Sequence, residues 1–451
     1  MTGSKQGSLT IFLTLSMLTF LSFCLVLTEG ARFYFVKTKA AQAMELAEFS
    51  VLSEYQYELL ANYGVFFLEL DYEQGAEHTG ILEQRVQKYL LKNAEEIETA
   101  DLKVGKFRRA TDSGGLPFFV QAVEFMKIKT GYKFLEELVG NLGEISAESV
   151  DLGKILEENS GQAEALLGNY VDEEGEPLFQ ISLPKVSFPS IQALTEAVFG
   201  SENRLSEKSI DLKERISKRV LSVGTGQKEE NGLADLQLFH GYLFEHFNYY
   251  GTKNTEIWKS ALEYQMEYII CGEKSDRKNL ENVMWRIFIL RAGGNYLFYH
   301  QDPERMAQAE AEATALAGIT GNAAIIGLVR EILLISQAIE DGIQDTKSIF
   351  AGQKVPVYQD GIFAGIDMGY EQYLYLFLNM TDRTEKIYHS MDIVELEVRQ
   401  KSGYRNFQLD HCTDEFLVEW NWQLESIFGR IPVLNGGVYE NSIKRKFYYA
   451  E

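Results

Sequence analysis

His240, Glu245 and His246 are the one place along these 451 residues where imidazole and carboxylate groups cluster locally. Two imidazoles and a carboxylate can hold zinc, but a zinc-binding helix spaces its histidines by three or four so that both rings reach the ion from one face. A spacing of six turns a helix through about 600° and leaves the rings about 120° apart. The segment therefore reads as a packed, aromatic-rich helix rather than a metal site. His411 and Cys412 are neighbours, yet a thiolate nucleophile needs a base brought to it across space, and the sequence marks none. Gly224-Thr225-Gly226 is the only glycine pattern near a phosphate loop. It runs into Gln227-Lys228-Glu229 with no strand before it, so neither a dinucleotide fingerprint nor a phosphate loop is present. Serine elbows, kinase motifs and calcium loops are missing from the sequence. Among 66 acids a carboxylate pair can meet through folding, as a glycosidase requires, but nothing marks which pair. No catalytic residue, cofactor or metal ligand is assigned, and the expectation is a protein that is not an enzyme.

The elements that would position any site begin with composition. The 43 basic against 66 acidic residues give a formal net charge of −23, which argues against nucleic acid and anionic lipid headgroups as primary partners. At 12% aromatic and with seven prolines the chain buries enough surface to fold. Its length exceeds the size at which single cores stop growing, so two or more packed units are expected. Cys24, Cys271 and Cys412 cannot make a disulfide framework. Cys24 lies in an apolar run, leaving a Cys271–Cys412 bridge or, as the plainer reading, buried thiols.

That apolar run, residues 9–27, holds nineteen residues without a charge, glycine or proline. As a helix it spans about 28 Å, close to a bilayer's hydrocarbon core. It outlasts the apolar region of a cleavable signal peptide and lacks a small-x-small site, so it is expected to remain as an anchor. Hydroxyls at 10, 14, 16, 19 and 22 are tolerable because each can bond a carbonyl one turn back. The expected order is a short cytoplasmic leader at 1–8 and a transmembrane helix at 9–28. A stalk helix and first α+β unit then cover 29–140, an irregular acidic insertion 141–232, and a helix-rich unit with C-terminal strands 233–451. Residues 1–30 contain only Lys5 and Glu29 as charges, so the whole −23 falls on the part expected to be extracellular.

The stalk is expected to run helically over 31–62, with Val36, Ala40, Ala43, Ala47, Val51 and Tyr55 striping one face. Strands are expected at 65–70 and 102–109, and helices at 81–97 and 118–139. Within the insertion the one helix placed is 212–220. Helices follow at 233–247, 258–270, 277–300, 303–317, 323–350, 370–380 and 383–398. At Phe416, Val418, Trp420, Trp422 and Leu424 the period changes to two, a strand with one apolar face, and 442–449 reads as a second. The fold class is α+β, helix-rich.

Lys5-Gln6-Gly7-Ser8-Leu9-Thr10-Ile11-Phe12, the apolar run and Glu29-Gly30-Ala31-Arg32 resemble the start of TadE- and TadG-like pseudopilins of tight-adherence pili. Residues 7–72, with Tyr63-Gly64-Val65-Phe66-Phe67, are similar to a family of single-pass membrane proteins of unknown function from Gram-positive, clostridial-type bacteria. Glu263-Tyr264-Gln265-Met266-Glu267-Tyr268-Ile269-Ile270-Cys271-Gly272 and Gly352-Gln353-Lys354-Val355-Pro356 resemble that family too. The resemblance implies leader cleavage between Gly7 and Ser8, a large domain outside the cell, and partnership with the bilayer, other pseudopilins and pilus or secretion machinery. It departs from pilins at Phe12, where they carry a glutamate thought to pair with a neighbour's N-terminus, which weakens the case for cleavage and for a place in a filament shaft. The alternatives are an anchored extracellular binding or sensing domain and a cell-surface hydrolase.

Overall fold

The computed structural model describes residues 5–70, 78–130, 151–170, 183–200, 205–211, 213–224, 233–252, 260–357, 367–401, 403–427 and 437–449. The fold is α+β and helix-rich, with a long apolar helix at its N-terminal end. It divides into two units, each assembled from separate stretches of chain. The first comprises 1–125, 220–230 and 401–451, and the second 126–219 and 231–400. The C-terminal strands therefore join the N-terminal unit, whereas the linear reading attached them to the helices of 233–400.

In the first unit, α1 (Lys5–Leu52) is one uninterrupted helix. Its second half buries Val36, Ala40, Ala43, Met44, Ala47 and Val51. These fall three or four apart, so they share a face. Small alanines in the middle of that stripe let the helix lie close to what covers it, an antiparallel sheet. The central strand, β5 (Cys412–Glu425), pairs along one edge with β2 (Glu98–Arg109). Along its other edge it pairs with β1 (Leu68–Glu69) and then β6 (Val438–Tyr448). Phe416, Val418, Trp420, Trp422 and Leu424 face α1 in one core, to which α3 (His78–Asn93) adds Leu82, Val86 and Leu90. The opposite face of β5 is polar, with Glu415 and Glu419 paired to Lys446 and Lys444 of β6 at 2.8 and 3.0 Å. One packed face and one solvated face are the usual condition of an antiparallel sheet.

The helix expected over 31–62 breaks after Leu52, and Tyr55 falls outside it. Gln56, buried, causes the restart: its Oε1 accepts from the N–H groups of Glu58 and Leu59 at 2.6 and 3.1 Å, capping α2 (Tyr57–Tyr63). Gly64 ends α2 at φ +66°, where a Cβ would lie 2.3 Å from the Phe125 ring. Of the strand expected at 65–70, only Leu68–Glu69 pairs. α4 (Asp112–Thr130) follows β2, and the chain leaves the first unit within it, after Phe125. Arg108 reaches back to Asp414 on β5 with Nε and Nη2 at 3.0 and 2.9 Å.

The second unit is built on α9 (Asp276–Gln301) and α11 (Ala323–Phe350), joined through α10 (Pro303–Ala317). Asp302 caps α10 through Glu304 N–H at 2.9 Å, with Pro303 at its first position, a good helix start because proline has no N–H to leave unsatisfied. Gly342 of α11 permits close approach to Ala292 of α9, whose backbone a Cβ would meet at 3.0 Å. α5 (Leu152–Leu167) and α6 (Ile191–Phe199) lie in the region read as an irregular insertion. Asp151 and Ser190 cap them, accepting from Lys154 and Ala193 N–H. Residues 212–220, the helix placed there, instead form turns where described. The acidic run 172–176 and residues 131–150 lie outside the described residues. α7 (Leu233–His246), α8 (Gln265–Cys271), α12 (Tyr370–Met380) and α13 (Arg383–Gln400) complete the helices, with a two-residue pairing of β3 (Val355–Pro356) and β4 (Asp367–Met368).

Candidate functional site

Two places concentrate polar groups where burial makes them costly, and each is built differently. The first is the junction between the apolar half of α1 and the sheet. Residues 8–22 are exposed along their whole length, and several hydroxyls on this part of α1, Ser22 to Thr19 O among them, bond back to the helix's own carbonyls. Thr14 donates to Thr10 O, Thr19 to Ser16 O and Thr28 to Cys24 O, at 2.8–2.9 Å. This is how a helix lowers the cost of carrying hydroxyls into lipid. Among the described residues it is the one helix long and apolar enough to cross a membrane.

Directly beyond that run the helix is tied to the end of β5. Glu29 is buried, and its Oε1 accepts from Ile427 N–H at 3.2 Å. Arg32 Nη1 donates to Glu425 O at 2.8 Å and lies 3.7 Å from Glu29. Phe33 packs between Trp422 and Tyr439, with ring centroids at 6.2 and 5.4 Å. At the far end Glu48 pairs with Arg445, and Tyr449 donates to Leu52 O at 2.7 Å. β5 thus runs antiparallel to α1 and β6 parallel to it, so the sheet lies along the helix and is fastened at both ends.

The second place is α8. Its sequence places Gln265, Glu267 and Tyr268 in a seven-residue helix that is otherwise apolar, and all three are buried. Each reaches a different stretch of chain. Gln265 accepts from Asn248 N–H at 2.9 Å and donates to Ser260 Oγ and Glu397 Oε1 at 2.8 and 3.0 Å. Glu267 Oε1 accepts from Tyr250 N–H at 2.8 Å and Tyr370 OH at 2.6 Å, while its Oε2 has no partner. Burial outweighs those two hydrogen bonds and pushes the Glu267 carboxyl up to about 7. Tyr268 accepts from Arg215 Nη1 at 2.7 Å and donates to Asp392 Oδ2 at 2.9 Å. Asp392 also accepts from Ser217 Oγ and N–H at 2.6 and 3.2 Å. Asp276 accepts from Glu263 and Tyr264 N–H at 2.8 and 3.1 Å, holding the entry to α8. Gly272 ends the helix at φ +67°, with the His389 ring where a Cβ would be. Chemically, α8 is a buried hydrogen-bonding hub. Its carboxyl can gain or lose a proton near neutral pH, but it faces tyrosines rather than solvent.

The family comparison falls on this second place. A model of a family of unknown function, DUF5702, matches residues 184–362 and 364–424, more than half of the chain. The chain belongs to DUF5702. The DUF5702 match contains α8, its partners Arg215, Tyr370 and Asp392, and most of β5, but not α1. No curated protein and no solved structure matches this DUF5702 chain.

The residues singled out in the sequence are dispersed by the fold. Gly7 and Ser8 lie in the first turns of α1. His240 is fully buried, its Nε2 3.1 Å from Lys386 Nζ, and burial pushes its pKa well down. Lys386 also donates to Leu378 O at 2.5 Å, and burial lowers its amine to about 8. Glu245 instead pairs with Lys129 at 2.5 Å, and His246 packs on Tyr242 with centroids 4.5 Å apart. Among the described residues no group of three histidine, cysteine or acidic side chains could hold a metal. Cys412 opens β5, buried, and its thiol donates to Gln408 O at 3.7 Å. None of the cysteines forms a disulfide, and burial pushes the Cys271 thiol up to about 12. Gly224 N–H donates to Asp112 Oδ1 at 2.8 Å, so a carboxylate occupies the position a phosphate would need. Thr225 and Gly226 lie outside the described residues. Sequence reasoning did not single out Glu267, Asp392 or Arg215. The signal for the first was present, three polar side chains at 265, 267 and 268 within an apolar helix.

Proposed function

We propose that this DUF5702 protein is a non-enzymatic, membrane-anchored surface protein, a minor pseudopilin or accessory component of a Tad-type pilus or secretion-like apparatus. Its anchor, residues 9–28, lies in the cell membrane and the large remainder of the chain beyond it lies outside the cell. The observation that carries the reading is the continuity of α1: one helix is bare and apolar over its first half and forms the core of a sheet over its second. A force or displacement applied to the membrane half passes to the sheet without a hinge, as a subunit that is pushed, pulled or packed side by side in lipid requires. The resemblance of residues 5–32 to TadE- and TadG-like proteins supports the same assignment, while Phe12 favours an accessory place over one in a filament shaft.

A second reading, an anchored binding or sensing domain, is favoured by one observation: the DUF5702 match covers most of the helical unit and β5 and leaves α1 out. Intact mass and N-terminal sequencing of the protein from native membranes, with identification of what co-purifies, separates the two. Pilus-type machinery among the co-purifying proteins is the expected result, and a chain beginning at Ser8 would add prepilin-type handling despite Phe12. An uncut N-terminus with no such machinery overturns the pseudopilin reading in favour of the binding domain, and cleavage after residue 30 overturns the anchor.

A further inference from the structure

The sheet has two long edges, and they are built differently. β2 forms one of them. There Glu83 Oε1 of α3 takes Val104 N–H at 3.1 Å, the register against β5 slips at three places and Lys106 sits at φ +51°. Bulges and a side-chain cap of this kind keep an edge strand from pairing further. β6 forms the other edge, and its ladder to β5 runs from Val438 to Tyr448 without a slip. Gly437 O accepts from Ser426 N–H at one end, and Tyr449 N–H donates to Asp414 O at the other, at 3.4 and 3.3 Å. Backbone direction alternates along a strand, so the odd residues face β5, and Val438, Glu440, Ser442, Lys444 and Lys446 send their N–H and C=O groups outward. Ser442 N–H meets Asn441 Oδ1 at 2.8 Å, and among the described residues no other strand pairs with this edge. At about 3.3 Å per residue the open stretch is about 26 Å long, enough for a whole added strand. Lysines guard many edges by standing over them, but Lys444 and Lys446 lie back across β5 on Glu419 and Glu415.

Geometry limits what can cover this edge. A two-fold pair of β6 strands is antiparallel. Because β6 runs parallel to α1, that pair points the two α1 helices in opposite directions, which two copies in one membrane cannot do. Head-to-tail addition brings the β2 edge of the next copy, which is the blunted one. The strand therefore comes from elsewhere, and the flanking side chains specify it. An added strand places alternate side chains on each face. On one face it stands beside Lys444 and Lys446, 59% and 55% exposed, where acids continue the alternation of charge begun by Glu419 and Glu415. On the other it stands beside Ile443, packed on the core, and Tyr439, packed on Phe33, where apolar residues extend the buried cluster.

We propose that the outer edge of β6, from Val438 to Lys446, is a docking site for an extended segment of a different polypeptide, which joins the sheet as a further strand with acids beside Lys444 and Lys446 and apolar residues beside Tyr439 and Ile443. Main-chain hydrogen bonds supply the affinity, and the two rows of side chains supply the choice of partner. The exclusion of a second copy rests on residues 9–27 spanning the membrane.

The test uses the full chain in nanodiscs of neutral lipid and a nine-residue peptide in which valine alternates with glutamate, glutamate, threonine and lysine. That order opposes Lys446, Lys444, Ser442 and Glu440 in antiparallel register. One version is N-methylated on its valines, which leaves the edge toward β6 open and stops the peptide stacking on itself. The other is N-methylated on its polar residues, which blocks the edge toward β6. Residue-resolved hydrogen exchange is read with each. The first peptide should slow the amides of Glu440, Lys444 and Lys446 by about tenfold or more and leave those of Asn441, Ile443 and Arg445 unchanged; the second should slow none. Lys444→Pro removes an outward N–H and no bond to β5, so it should keep the protection at 441 and 443 and lose the peptide's effect at 440 and 446. No slowing by the first peptide, equal slowing by both, or slowing that survives in a folded Lys444→Pro overturns the proposal. If that variant loses protection at 443, the two peptides decide the matter in the parent. Outward amides already protected without peptide, in discs that hold two chains, also overturn the proposal, since a second copy then covers the edge. A chain that does not co-elute with the discs overturns the anchor reading and the proposal with it.

Discussion

Replacing Glu267 by glutamine should remove a definite part of the pH dependence of the second unit. The carboxyl is wholly buried and moves from 4.5 to about 7 on folding, with burial as the largest cause. A carboxyl raised in this way is protonated in the folded chain and ionised in the unfolded one between those two values. The folded state then binds the extra proton, and stability falls as pH rises from 4.5 to about 7. At about 1.4 kcal/mol for each tenfold in the ionisation constant, the fall is about 3 kcal/mol. Nothing further is lost through this group above that window. Glu267→Gln keeps an oxygen for Tyr250 N–H and Tyr370 OH but puts an amide nitrogen where Oε2 has no partner, at a cost of about 1–3 kcal/mol. The variant should therefore be less stable than the parent near pH 5 and close to it near pH 8. Native-state hydrogen exchange at the amides of α8, corrected for the intrinsic pH dependence of exchange, reads the opening free energy directly. Equal pH slopes in parent and variant would refute the assignment of this proton to Glu267.

Three further changes test the packing of the first unit. Gly64→Ala combines a φ of +66° with a Cβ 2.3 Å from the Phe125 ring; it should cost roughly 1–3 kcal/mol, read as a lowered denaturant midpoint. Arg108→Met leaves the buried Asp414 carboxylate without its paired guanidinium. A loss of about 3–5 kcal/mol is expected, and a change within error would show that Gln121, whose Nε2 donates to Asp414 Oδ2 at 3.3 Å, alone suffices. Trp420→Ala empties the space between β5 and α1 and should cost about 3–5 kcal/mol, measured by the same unfolding.

Periodicity carried much of the fold. The stripe from Val36 to Val51, the alternation from Phe416 to Leu424 and the helices at 303–317, 323–350 and 370–380 are written in local spacing, and the structure places them there. Partnership between distant segments is not local, and that is where the reading differed. Nothing in residues 98–109 says that they pair with a strand 300 positions later, so the C-terminal strands were assigned to the neighbouring helices. Gln56 restarts the chain after Leu52 through a side-chain cap that helix propensity does not register. The helices at 152–167 and 191–199 were hidden because the glycine, serine and acid clusters around them dominate the composition. At α8 the polar residues were visible, but their burial depends on Arg215, Tyr370 and Asp392 arriving from three other stretches, which one sequence does not reveal. The spacing of His240 and His246 sets their rings on different faces of one helix, and the fold packs Lys386 against His240, a neighbour that local spacing does not show.

The central position of β5 has a consequence for how the protein is made. During synthesis α1 emerges long before the strand that covers its alanine stripe, which is more than 350 residues behind it. Until residues 412–425 have been translated, the N-terminal unit has no middle strand for β2 to join and no tryptophans to lay over the helix. The helical unit can close meanwhile, since its stretches end by residue 400. Maturation therefore runs opposite to the usual order, with the unit begun first finished last. A ribosome that stops early leaves a chain with an uncovered apolar helix face and an unpaired strand, features by which quality-control proteases recognise unfinished polypeptides.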